Sequence, residues 1–94
     1  RGVLFSPTSV EQVVRDTAQL GNEYEVVVTK ENDYESILVK VEVVPESEGE
    51  KARIGELLVR ELRNATQLKC DVEILRFGTL QRYEVKSKRF KDKR

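Results

Sequence analysis

No histidine occurs in the 94 residues, and Cys70 is the single cysteine. The commonest general base, the commonest metal ligand and most nucleophilic triads are removed together by the first fact. Cys70 has neither a disulfide partner nor metal-ligand spacing around it. What remains for chemistry is placed charge, and it is unevenly spread. Residues 78–94 carry seven Lys/Arg against two Asp/Glu, whereas residues 1–77 carry ten against fifteen. The stretch Gly78-Thr79-Leu80-Gln81-Arg82-Tyr83-Glu84-Val85-Lys86, with Arg89 and Asp92 beyond it, is thus a cationic end on an acidic body. Such an end suits nucleic acid, an anionic lipid, an acidic partner or a phosphorylated small molecule, and charge alone does not choose among them.

These residues need a scaffold. A chain of this length makes one domain, and 38% hydrophobic with 36% charged residues supports a compact core under a charged surface. No apolar run approaches the roughly 18 residues needed to span a bilayer, and the start lacks the regions of a signal peptide. A soluble protein of a reducing, cytoplasmic compartment is the expectation. Methionine is absent and the chain opens on Arg1-Gly2, so it reads as a piece of a longer polypeptide.

The apolar run Gly2-Val3-Leu4-Phe5 predicts a first strand ending at Ser6-Pro7. A helix follows, with Thr8 and Glu11 as a capping box, Val10, Val13, Val14, Thr17 and Ala18 on one face, and Gly21 as its stop. Tyr24, Val26 and Val28 alternate with Glu23, Glu25 and Val27 as a strand with one face on the core. After the polar turn Lys30-Glu31-Asn32-Asp33, a second strand points Ile37, Val39, Val41 and Val43 inward and Leu38, Lys40 and Glu42 outward, completing a hairpin. Pro45 and Glu46-Ser47-Glu48-Gly49 read as a solvated loop.

Residues 50–66 form the clearest helix, with Ile54, Leu57, Leu58, Leu62 and Ala65 at helical spacing and Gly55 as a tolerated weak point. Cys70, Val72 and Ile74 alternate as a last strand ending near Phe77-Gly78, with Cys70 as a small core residue. The order β-α-β-β-α-β predicts an α+β, ferredoxin-like fold: an antiparallel sheet with two helices on one face, followed by a basic C-terminal segment. That fold hosts many functions. Tyr24, Tyr34 and Tyr83 do not make the paired strand aromatics of an RNA-binding sheet, so nucleic acid is not the expected partner, and without a spanning apolar run neither is a membrane. A ferredoxin-like module that binds a small effector remains the alternative function.

Taken together, Arg1-Gly2-Val3 with Pro7 and Glu11, and Gly78-Thr79-Leu80 … Arg82-x-Glu84-x-Lys86 … Arg89 … Asp92, are similar to the C-terminal domain of the phenylacetate–CoA ligase family of adenylate-forming enzymes. The likeness runs nearly end to end. The sequence departs from the family pattern at Gln81, where proline is usual, and at Val85, where glycine normally precedes the lysine.

The resemblance implies that residues 1–94 are the small mobile lid of an enzyme whose large N-terminal domain lies outside this chain. That enzyme would join an aryl acid to coenzyme A: ATP converts the acid to an acyl-adenylate, and the thiol of coenzyme A then displaces AMP. ATP, coenzyme A and Mg²⁺ would belong to the full-length enzyme, with none bound by this domain alone and no metal site within it. By the same resemblance Lys86 is the catalytic candidate. A fixed ammonium stabilises the negative charge that develops on phosphoryl oxygens more in the transition state than in the ground state. Gly2 with Val3 would line the coenzyme A tunnel, Arg1 would sit near the domain junction, and Arg82 would contact phosphate or carboxylate.

Overall fold

The computed structural model describes residues 7–82 and 89–94. The strand expected at Gly2–Phe5 lies outside them. Helix α1 (Pro7–Asp16) buries Val10, Val13 and Val14 on one face, as their spacing requires. Thr8 falls inside this helix, so the expected capping box does not form. Glu11 instead accepts a hydrogen bond from the Tyr24 hydroxyl at 3.3 Å. The helix ends well before Gly21, because the Thr17 hydroxyl donates to the Val13 carbonyl at 2.8 Å and satisfies a last-turn acceptor. Gly21 lies in strand β1 (Leu20–Glu31).

Strands β1 and β2 (Tyr34–Val43) form the expected antiparallel hairpin, paired from Leu20↔Val43 to Glu31↔Tyr34 with a register shift between Leu20 and Tyr24. Its loop is Asn32-Asp33, both with positive φ (51° and 70°), the requirement of a tight two-residue turn whose twist matches the strands. Residues Pro45–Glu50, read as a loop, form a short 3-10 helix that runs into α2 (Lys51–Thr66). Helix α2 buries Ile54, Leu58 and Leu62, while Ala65 is exposed and Leu57 only half-buried. Gln67, at φ 64°, closes it by donating its N–H to the Arg63 carbonyl at 2.8 Å.

After α2 come β3 (Asp71–Leu75) and β4 (Phe90–Asp92), giving one sheet in the order β3-β2-β1-β4. Both outer pairs, β2 with β3 and β1 with β4, are parallel, so the sheet is mixed and not antiparallel throughout. For β2 and β3 the reason is geometric: a connection containing a helix can carry the chain back so that β3 runs alongside the second half of β2. Strand β4 also makes part of the basic end an ordered edge strand, extended by the Lys93 N–H on the Val28 carbonyl at 2.7 Å.

The two helices share one face of the sheet, and the core lies between: Val10, Val14, Tyr24, Val26, Val39, Val41, Val43, Ile54, Leu58, Leu62 and Cys70 are essentially inaccessible. This is an α+β domain consistent with the ferredoxin-like expectation. The other sheet face is charged. Lys40 stands between Glu25 and Glu73 in register, and Glu25 pairs with Lys40 at 3.8 Å and Lys91 at 3.2 Å. No helix among the described residues is long and apolar enough to cross a membrane.

Candidate functional site

Strand alternation puts Glu42 on the side of β2 opposite Val41 and Val43, where exposure was expected. It is fully buried instead, at 0% relative exposure. The cover is the chain after β3. The Gly78 N–H donates to Glu42 Oε1 at 3.1 Å and the Leu80 N–H to Oε2 at 2.5 Å. Arg82 Nη1 donates to both oxygens, at 2.9 and 2.8 Å. A carboxylate removed from water is tolerable only when charged and neutral donors replace its hydration, and here both kinds do.

Each residue of the Gly78-Thr79-Leu80-x-Arg82 motif has a part in this turn. Gly78 adopts φ +91°, a conformation that L side chains rarely enter. Thr79 closes the bend twice on the Arg76 carbonyl, by its N–H at 3.2 Å and its hydroxyl at 2.7 Å. Leu80 and Arg82 grip Glu42. Phe77 lies across Gly21, where a β-carbon would come within 3.4 Å of its ring, and the Arg82 guanidinium sits 5.4 Å from that ring's centre. Gly21 is therefore a seat for an aromatic ring.

The electrostatics follow from opposed terms. Burial acts to raise the Glu42 pKa. The Leu80 and Gly78 amides and the Arg82 guanidinium together outweigh it, so the carboxyl is held below its ordinary value. Glu42 is thus an ionised anchor rather than a proton donor.

A second attachment lies beyond residue 88. Arg89 is 7% exposed, with its guanidinium 4.9 Å from the centre of the Tyr24 ring. Its Nη1 donates to the Tyr24 carbonyl at 3.3 Å and lies 3.0 Å from Glu23 Oε1. Burial, followed by the charge of Glu11, raises the Tyr24 pKa, so this hydroxyl stays protonated. Farther out, the bonds from Arg94 hold Asp92 down at a pKa of about 2, and Arg94 also reaches Glu35 at 3.1 Å. The end of the chain is fixed to β1 and β2 by specific pairs.

Of the sequence-predicted site residues, Arg82 is placed on Glu42, with its side chain still 45% exposed. Lys86, Arg1, Gly2 and Val3 lie outside the described residues, as does Val85. Lys86 belongs to the stretch 83–88, bracketed in sequence by the Glu42-bound Arg82 and the buried Arg89. Glu42 escaped the sequence reading because its role depends on residues 36 to 40 positions away. Cys70 is buried, free and raised in pKa by its desolvation, which leaves an inert core thiol. Among the described residues no group of His, Cys, Asp or Glu is arranged to hold a metal ion.

A mixed sheet covered by two helices, ending in a basic segment fastened to its strands, defines a small α+β domain. Residues 2–94 match the AMP-binding enzyme C-terminal domain, and the chain belongs to that family. Its fold is similar to a domain of phenylacetate-coenzyme A ligase from Bacteroides vulgatus ATCC 8482, at 20% identity and TM-score 0.83, over 98% of this chain and 87% of that one. It is also similar to 2-hydroxyisobutyryl-CoA ligase with 2-HIB-AMP and CoA in the thioesterification state, at 17% identity and TM-score 0.86, over 95% of this chain and 19% of that one. The same ligase in the postadenylation state with 2-HIB-AMP matches at 18% identity and TM-score 0.83, over 100% and 21% of the two chains. This chain therefore spans about a fifth of that ligase's length. No curated protein matches it.

Proposed function

We propose that this domain is the mobile lid of a cytoplasmic, AMP-forming acid–CoA ligase acting on an aryl acid such as phenylacetate. Family membership favours this reading over the effector-binding module. In the first half-reaction a carboxylate oxygen attacks the α-phosphorus of ATP, and the bond from that phosphorus to pyrophosphate breaks. In the second, the sulfur of coenzyme A attacks the acyl carbonyl, the bond to AMP breaks, and the thiol proton passes to solvent. The 2-hydroxyisobutyryl-CoA ligase structures hold an acyl-adenylate-type ligand and CoA, which supports the same pair of substrates here. Mg²⁺ would neutralise charge on the triphosphate when bound; the described residues offer it no site, and it belongs with the nucleotide on the larger domain.

Lys86 supplies the ammonium that stabilises the charge developing around the α-phosphorus. Arg82, half-exposed beyond its bond to Glu42, borders the nucleotide. Gly2 and Val3 line the pantetheine tunnel in the second pose, with Arg1 at the domain junction. The observation that carries the reading is the family match over residues 2–94; in sequence, a turn locked to a buried carboxylate ends at Arg82 and a buried arginine stands at position 89.

Product analysis tests the reaction class. The ligase carrying this domain, given ATP, phenylacetate and coenzyme A, is expected to release AMP and pyrophosphate and to form a thioester. Release of ADP and phosphate would contradict the reading, and a panel of other acids would set the substrate class.

A further inference from the structure

We infer that the outer edge of β3, with the groove between it and α2, is a docking site for an extended peptide segment in which apolar residues alternate with lysine or arginine. Among the described strands β3 has one neighbour, β2, and its other side is the end of the sheet. Such an edge leaves backbone N–H and C=O groups ready to pair with an incoming strand. Alternation divides its side chains. Val72 and Ile74 turn toward α2 and the core, while Asp71 and Glu73 lie exposed on the opposite face.

The groove between α2 and this edge is open, has a volume of about 540 Å³, and takes most of its lining from Gly55, Val59, Val72 and Ile74. Val59 is one of the few large apolar side chains left exposed among the described residues. Gly55 keeps the groove open, and the domain's own packing does not require a glycine there: a β-carbon would meet only Ile74 Cγ1, at 3.8 Å. Glycine weakens a helix interior relative to alanine, and no described side chain uses the space it leaves.

The charges select the occupant. Lys40, in register with Glu73, is engaged by Glu25 at 3.8 Å. Neither Asp71 nor Glu73 makes an ion pair among the described residues. Glu56 adds a carboxylate at the groove, where Lys51 is already paired with Glu48 at 3.2 Å. Lys69 and Arg76 lie beyond the two ends of the strand, so the edge itself carries only acid. A second copy of this chain is therefore a poor occupant. Antiparallel pairing of β3 with itself, centred on Glu73, sets the two Glu73 side chains face to face, and the neighbouring register sets Asp71 against Glu73; like charges directly opposite are destabilising. A strand bearing lysine or arginine reverses that sign, while its alternate apolar side chains enter the groove over Gly55.

The test titrates the ligase carrying this domain with a short peptide of alternating lysine and valine. Its controls are a counterpart of alternating glutamate and valine, and a peptide with the same lysines and valines in two blocks. Amide exchange in residues 71–75 is followed by mass spectrometry. The alternating lysine peptide should slow exchange there and bind about tenfold or more tightly than either control. Gly55→Leu places the side chain of a good helix former in the groove and should weaken that binding by about tenfold or more. Glu73→Lys, at an exposed position, should reverse the preference in favour of the glutamate peptide. If Gly55→Leu fails to fold, the reversal in Glu73→Lys carries the test alone. Equal binding of the three peptides, no protection at 71–75, or an unchanged preference in Glu73→Lys would overturn the inference. Self-association of the ligase that Gly55→Leu abolishes, with no peptide binding, would give this face to a second copy and overturn it as well.

Discussion

Glu42 keeps its charge in a dry site because donors arrive from 36, 38 and 40 residues further along the chain. That makes it a pH-sensitive contributor to stability with a definite sign. Its folded pKa lies below the ordinary glutamate value of about 4.3, so the folded state binds fewer protons there than the unfolded chain. The contribution is complete above that value and is lost as pH falls through the lower, folded pKa. Urea midpoints of the wild-type domain should therefore drop more steeply than those of Glu42→Gln as pH falls below the ordinary glutamate value of about 4.3. At neutral pH the variant should be less stable by about 1 to 3 kcal/mol, since its amide leaves part of the donor set poorly matched. Parallel pH profiles would show that Glu42 does not carry this linkage.

Among the elements, α2 and the hairpin were legible in the sequence because their information is local. Alternating valines, a polar loop able to take positive φ, and leucines at helical spacing each act within a dozen residues. Three of the misreadings share one cause: structure decided by distant partners. Phe90-Lys91-Asp92 is too short and too charged to announce a strand, and becomes one only by lying parallel to Val26–Val28. Gly21 reads as a helix stop until Phe77 needs a flat place to lie. Glu42 reads as a solvent-facing strand residue until the turn after β3 covers it. The same logic gives an engineering expectation for α2. A β-carbon at Gly55 would meet only Ile74 Cγ1, at 3.8 Å, an ordinary contact. Gly55→Ala should raise the domain's stability by up to about 1 kcal/mol through helix propensity. A lowered unfolding midpoint would mean that this helix needs its glycine for closer packing.

At the scale of the whole molecule, the helices and the core serve one end of the sheet, where β2 supplies Glu42 and β1 supplies Glu23 and Tyr24. The basic end of the chain, from Arg82 to Arg94, is fastened at these supports. As a lid, the domain would bring that charge to a nucleotide held elsewhere and then withdraw it, which divides the labour between two half-reactions. The candidate site was therefore readable only as a motif. Arg82 could be named from the sequence, whereas Glu42, which holds it, could not. Rapid-quench comparison of the two half-reactions in the full ligase bearing Lys86→Ala tests the claim most directly. Acyl-adenylate formation at saturating ATP and acid should fall by about a hundredfold or more, with thioester formation from preformed adenylate nearly unchanged. Adenylate appearing at the wild-type rate would contradict it.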